Sequence, residues 1–201
     1  MHISDGILNA EVCVGAALAA ALITSYSLKK TLKDDIPKIS VMTAAFFVAS
    51  LIHVKIGPSS AHLLLNGLVG ITLGISSFTA ILVALLFQAI MFQHGGITTL
   101  GVNTIAMGLP ALIAYGVYKL HALLPAKRNL FLPFFSFIAG FLSVIFSAIF
   151  ISLFLILTGK EFFETSKVIL IVHAPIAIVE GIITLFAVSF LQRIKPEVLQ
   201  K

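Results

Sequence analysis

Residues 129–157 read NLFLPFFSFIAGFLSVIFSAIFISLFLIL, an unbroken stretch without a single charged side chain. At about 1.5 Å per residue, a helix of this length exceeds the ~30 Å hydrocarbon core of a bilayer. The stretch also lacks the sustained apolar–polar alternation of a membrane barrel strand. Outward from it, further apolar runs lie near Ala10 to Leu28, Ile39 to Val54, Ser60 to Ser76, Phe78 to Phe92, Val102 to Leu120 and Ser166 to Leu191. The chain of 201 residues is 59% hydrophobic and 10% charged, with a mean hydropathy of +1.12, so its polar surface is too small to cover a water-soluble globule. The reading is an all-α, polytopic membrane protein of about seven transmembrane helices. The third and fourth runs are short for a crossing, which leaves a re-entrant pair open.

No linker or compositional break divides the sequence, and the only internal echo is GITLG at Gly70 against GITTLG at Gly96. Residues 1–201 are therefore expected to form one membrane domain, with residues 1–9 outside the first helix. Asn9 is a candidate N-cap, and Glu11 sits in the first turn, where the helix dipole favours an acid. Pro133 falls in the first turn of its run and is tolerable there, whereas Pro175 is predicted to kink or break the seventh helix.

With seven crossings, Lys29, Lys30, Lys33, Lys38, Lys119, Lys127, Arg128, Arg193, Lys195 and Lys201 share one side, and only Lys55, Lys160 and Lys167 face the other. The positive-inside rule then places the amino terminus outside and the carboxyl terminus in the cytoplasm of a cell-membrane protein. This accounts for the net charge of +5 without nucleic acid. The lone Cys13 excludes an internal disulfide. No basic region precedes the first apolar run, so no cleaved signal peptide is read and the mature chain is expected to start at Met1, with the bulky His2 disfavouring methionine removal.

Five of the six histidines fall on the outer side of this topology: His2, His53, His62, His94 and His173, with His121 inside. Helix ends are where histidines of membrane proteins ordinarily sit. The start MHISDGIL carries a sharper chemistry. The Met1 α-amine, the His2 backbone nitrogen and His2 Nδ1 can chelate one ion through a five-membered and a six-membered ring. Ligation through a backbone amide requires a metal able to displace its proton, which favours Ni(II) or Cu(II) in a planar site over Zn, Mg or Ca. A fourth nitrogen would close the plane, and His62, in SSAHLLLNGL, is the candidate. A histidine in second position is by itself usually nothing of the kind. What gives it weight is the short segment leading straight into a membrane span, with Ile3, Ile7 and Leu8 able to bury it in a cavity.

The remaining polar residues are candidates for supporting roles. His94, in FQHGGITTLGVN, follows a helix and precedes a Gly pair that permits a tight turn, so it serves either as a hydrogen-bonding support or as an ordinary loop residue. His173 and Glu180 are seven apart and share a helix face; an acid at Glu180's depth is expected to face the bundle interior. Asn66, Gln88 and Asn103 read as hydrogen bonds between helices. No GxxxxGK[ST] phosphate loop occurs, since TGKEFF lacks both the leading glycine and the hydroxyl residue, so ATP hydrolysis is not expected of this chain. Nor does HExxH or a nucleophile–base pair, so no enzyme is read here. A channel or secondary metal transporter stays as the alternative.

Taken together, MHISDGIL, GPSSAHLLLNGLVG, FQHGGITTLGVNTIAMGLP and HAPIAIVEGIITLFAVSFL resemble the NikM/CbiM family, the substrate-capturing membrane subunits of energy-coupling-factor transporters for nickel and cobalt. The resemblance spans essentially the whole chain. It implies a seven-helix protein whose amino terminus folds into the bundle from outside. It further implies metal held by the Met1 amine, both nitrogens of His2, and His62. HLLLNGLVG and FQHGGITTLG are more similar to the nickel branch, which favours Ni(II) as the transported ion with Co(II) as the alternative. The partners it implies are a membrane coupling subunit, cytoplasmic ATPase subunits and a small accessory membrane subunit.

Overall fold

Asn9 caps the helix that runs from Ala10 to Lys30 (α1) as its sequence position predicts, its side-chain oxygen accepting from Val12 N–H at 3.0 Å. In the computed structural model, which describes residues 2–51, 53–56, 59–123 and 128–199, six further α-helices follow. They are α2 (Ile36–Ala49), α3 (Asn66–Leu73), α4 (Ser77–Phe92), α5 (Leu100–Lys119), α6 (Arg128–Thr158) and α7 (Phe163–Ile194). The protein is an all-α, multi-pass membrane protein. Among the described residues its one β element is an antiparallel hairpin, β1 (His53–Ile56) and β2 (Ser59–His62), in which His53 pairs with His62 and Ile56 with Ser59.

The hairpin corrects the expected second and third spans. Helix α2 stops at Ala49 instead of Val54, because Ser50 closes its last turn: the Ser50 N–H bonds back to Phe46 O, and its hydroxyl donates to Phe47 O at 2.8 Å. Beyond it the β-branched HVKI continues as strand. The third run begins as strand at Ser59, and its helix α3 has only 8 residues, about 12 Å of rise. A single 3-10 turn, Gly74–Ser76, joins α3 to α4. Five helical stretches among the described residues are long and apolar enough to cross a membrane: Ala10–Lys30, Asn66–Phe92, Leu100–Leu123, Leu130–Thr158 and Lys160–Ile194. The third and fourth runs thus form one such stretch between them. Pro175 does not break α7, which continues to Ile194, and Pro133 is the sixth residue of α6, past its first turn.

The perimeter is apolar and the interior carries the polar side chains, the inverse of a protein in water. Leu18 and Leu22 of α1 and Phe186 and Phe190 of α7 face outward, while Ser27, Thr72, Ser136, Ser143, Ser147 and Thr184 are buried. Helix α5 is central, packing against α1, α3, α4 and α6. One end of the bundle gathers the C-terminal turn of α1, where Ser27 Oγ donates to Ile75 O at 2.9 Å and Thr31 Oγ1 lies 3.0 Å from Ser76 Oγ. At the other end lie residues 2–9, the hairpin and the 93–99 loop.

Helix α3 reaches α5 at Gly70, where an added Cβ would stand 2.0 Å from the Ala111 carbonyl oxygen. No flexible side chain is there to move aside. Gly70→Ala is therefore expected to force the two helices apart and lower stability by about 1–3 kcal/mol, measurable as a lower thermal midpoint in detergent.

Candidate metal centre

The segment before α1 lies along the start of α5. Ile3 is fully buried, and its main chain is paired on both sides by one amide: Ile3 N–H donates to Asn103 Oδ1 at 2.8 Å, and Asn103 Nδ2 donates to Ile3 O at 3.0 Å. Thr99 Oγ1 donates to the same carbonyl at 2.8 Å. Asp5 adds a second attachment in the turn that precedes α5. Its carboxylate accepts from the backbone N–H of Ile97 at 3.1 Å, Thr98 at 3.0 Å and Thr99 at 3.3 Å, and from the Thr98 hydroxyl. These donors lie just ahead of the helix, beside its positive dipole end, so an acid there ties down the turn and serves as counter-charge. Only glycine fits at position 96, where a Cβ would sit 1.9 Å from Asp5 Oδ1.

These attachments bring His2 to His62. Both imidazoles are buried, stacked with centroids 4.7 Å apart, and His62 Nε2 lies 3.2 Å from His2 Nδ1. Their tautomers follow from the neighbours. Ser50 spends its proton on Phe47 O, so toward Gln88 it accepts from the amide Nε2. That turns Gln88 Oε1 to His2 Nε2 at 2.7 Å, and the ring nitrogen must donate, leaving the lone pair of a neutral His2 on Nδ1. On His62, Nδ1 donates to Leu63 O at 2.7 Å, leaving the lone pair on Nε2. Two lone pairs are thereby turned toward each other. Such a pair repels unless a cation or proton lies between, and two nitrogens ~2.0–2.1 Å from one ion are about 2.9 Å apart at a right angle. A ring nitrogen bonded to a carbonyl or amide oxygen while the other faces the ion is the usual setting of a metal-binding histidine. Burial pushes the His62 imidazole down to about 4, an effect that the Leu63 carbonyl opposes and nearby His173 and His94 reinforce, so its lone pair stays available in neutral and mildly acidic solution.

Among the described residues no three His, Cys, Asp or Glu side chains gather as a ligand cluster. Met1 lies outside the described residues. The His94 ring centroid is 6.5 Å from that of His2. Glu180 does not meet the imidazoles. Its carboxylate accepts from the N–H of Leu64 and, at 3.0 and 3.1 Å, from that of Leu65, the left-handed residue (φ 54) that starts α3. It thus fixes the loop directly after His62. His173 is fully buried on the same face of α7, with Nδ1 donating to Ile169 O at 2.7 Å. Buried His121 bonds through Nδ1 to the Tyr118 carbonyl, at the far end of α5.

Of the three amides expected to join helices, Asn66 donates to Ser147 Oγ of α6 at 2.9 Å, and Gln88 donates from α4 to Ser50 at the C-terminal end of α2. Gln88 and Asn103 hold the chain's first residues. Their partner is a segment without secondary structure, so no helix pattern could have pointed to it. The role of Asp5 was likewise missed; its one signal is an acid spaced from a GGITT loop.

The fold and site define a multi-pass membrane protein with a buried, imidazole-bearing centre formed around its first residues. Residues 2–198 match the family model described as CbiM, cobalt uptake substrate-specific transmembrane region, and the chain belongs to this family. It is 34% identical, over 100% of its length and 98% of the other's, to a Haemophilus influenzae protein named for metal transport. Over 92% of its length and 79% of the other's it is 30% identical to the cobalt transport protein CbiM of Lachnoclostridium phytofermentans. A crystal structure of a transition metal transporter superposes with a TM-score of 0.81 at 26% identity, covering 96% of this chain and 93% of that one. This chain is accordingly a metal-transport subunit of the CbiM type, a transporter component and not an enzyme.

Hydrogen bonding at Asp5 has a pH signature. Burial raises its carboxyl, but the Thr98 hydroxyl and the Thr99, Ile97 and Thr98 N–H groups outweigh this and hold it below the usual carboxylate range. A depressed acid contributes its attachment above its unfolded value and loses it as pH falls through the folded one. The Thr98 and Thr99 amides are therefore expected to keep their hydrogen-exchange protection, corrected for intrinsic rates, from pH 7 to 5, and to lose it only below about pH 3.9.

Proposed function

We propose that this chain is the substrate-capture subunit of an energy-coupling-factor importer for a divalent transition metal. On this reading residues 1–201 form one metal-binding membrane domain with its amino terminus outside and its carboxyl terminus in the cytoplasm. Four nitrogens hold the ion: the Met1 α-amine, the His2 backbone nitrogen, His2 Nδ1 and His62 Nε2. The observation that carries the reading is the approach of His2 Nδ1 and His62 Nε2 to 3.2 Å with the other nitrogen of each ring committed as a donor. The terminal segment supplies the main-chain ligands that the side chains alone lack. His94, His173 and Glu180 lie around the site without completing its plane.

Energy comes from cytoplasmic ATPase subunits through a membrane coupling subunit, with a small accessory membrane subunit as a third partner, because the sequence contains no phosphate-binding loop. A planar set that includes an ionised amide favours Ni(II). Co(II) is the second reading, favoured by the family's description and by the names of relatives such as the Lachnoclostridium protein. Competitive titration of the purified chain with both ions decides between them.

One extra residue placed before Met1 displaces the amine and changes both chelate ring sizes. Ni(II) affinity should then fall by at least about 100-fold, and His62→Ala should have a similar effect, while His121→Ala leaves it nearly unchanged; isothermal titration reads all three. Undiminished affinity in the extended chain would refute the terminal chelate. Because an α-amine near pKa ~7.7–8.0 must lose its proton to bind, affinity is expected to fall as pH falls from 8 to 6.

A further inference from the structure

The loop that leaves His62 is held at two successive peptide groups by one side chain of a distant helix. Nδ1 of His62 donates to Leu63 O at 2.7 Å, and the N–H of that same peptide group, carried by Leu64, donates to Glu180 Oε1. A peptide unit is planar, so fixing its N–H also fixes the direction of its carbonyl. The next N–H along, that of Leu65, meets both carboxylate oxygens, at 3.0 and 3.1 Å. The His62 ring, one peptide plane and the Glu180 carboxylate therefore form a continuous link from the metal centre to α7.

Leu65 shows how firmly the loop is held. Its φ of 54° is left-handed, a conformation that leucine adopts only where its surroundings impose it. Glu180 is fully buried, and a carboxyl group at that depth is costly unless hydrogen bonds satisfy it. The N–H groups of Leu64 and Leu65 do so. Turn and acid thus support each other.

We infer that Glu180 is a positioning residue that sets the metal selectivity of the centre, by holding the Leu63–Leu64 peptide so that His62 Nε2 stays opposite His2 Nδ1. This rests on the capture reading above. A planar ion such as Ni(II) takes its fourth nitrogen in the plane of the other three, whereas Zn(II), with no geometric preference from its d electrons, can follow a displaced ring. A held His62 therefore favours the planar ion, and a loosened one favours it less. Glu180 is no ligand in this scheme and acts through the loop alone.

The test is competitive titration of the purified full-length chain with Ni(II) and Zn(II), with the visible spectrum of the Ni(II) complex separating planar from five- or six-coordinate metal. Glu180→Gln keeps the size of the side chain but sets an amide donor against the loop N–H groups. The expected result is a fall of about 10–100-fold in Ni(II) affinity with loss of the planar spectrum, against a change of less than about threefold for Zn(II). Adding Leu65→Gly, which takes the left-handed turn without strain, is expected to restore Ni(II) affinity to within about threefold of the wild type. Leu65→Val loads the same turn with Glu180 intact, because a β-branched residue resists positive φ more than leucine does. It is expected to lower Ni(II) affinity in the same selective way, and it carries the test where thermal midpoints show that Glu180→Gln does not fold. Equal losses for the two ions, an unchanged Ni(II) affinity, or no recovery with glycine would overturn the proposal while a His2-dependent site stands. If His2→Ala leaves Ni(II) binding intact in the otherwise wild-type chain, the capture reading fails and takes this one with it.

Discussion

Two neutral imidazoles that turn their lone pairs toward each other at 3.2 Å inside an apolar bundle are an unstable arrangement by themselves. Everything around them works to hold that arrangement. Gln88, locked by Ser50, removes the possibility that His2 protonates at Nδ1 in its neutral form, and the Leu63 carbonyl does the same for His62 Nε2. The electrostatic cost of the facing lone pairs is carried by the packing of α2, α4 and α5, which would not otherwise need polar side chains at this depth. A cation between the rings converts that cost into binding energy, the logic of a preorganised site.

The attachments are distributed over elements far apart in sequence. His62 ends β2, His2 is held from α4 through Gln88, the adjoining main chain from α5 through Asn103 and Thr99, and the loop after His62 from α7 through Glu180. Asp5 then ties down the turn that leads into α5. Apart from the His2–Gln88 bond, each uses a backbone group that a loop or turn leaves unpaired, so groups that would be a liability in hydrocarbon become the fixings of the centre.

Much of this was legible in the residues, and what was not has specific causes. Long apolar runs marked α5, α6 and α7 to within a few positions, and Asn9 with Glu11 marked the start of α1. The hairpin escaped because HVKI is only four residues long, too short for its polar–apolar alternation to declare a period against the apolar runs on either side. The left-handed turn at Leu65 was illegible for a different reason: leucine carries no preference for that conformation, which is imposed by Glu180 from 115 residues away. His2 and His62 could be singled out from chain chemistry, since a terminal chelate is a local property. Gln88 and Asn103 could not, because a buried amide states that it needs a partner without saying which.

A site assembled this way ties metal affinity to the relative placement of helices. The two imidazoles sit on separate pieces of chain, one docked on α4 and α5 and the other fastened through its loop to α7. A shift of α7 against α4 and α5 by a fraction of the 3.2 Å separation changes the bite of the pair, whereas a rigid tumble of the whole bundle leaves it alone. A subunit that only captured its ion could place all the ligands on one helix and be insensitive to such motion. On the capture reading proposed above, dividing the two imidazoles between opposed elements lets a strain applied to the bundle weaken the grip without touching either ring.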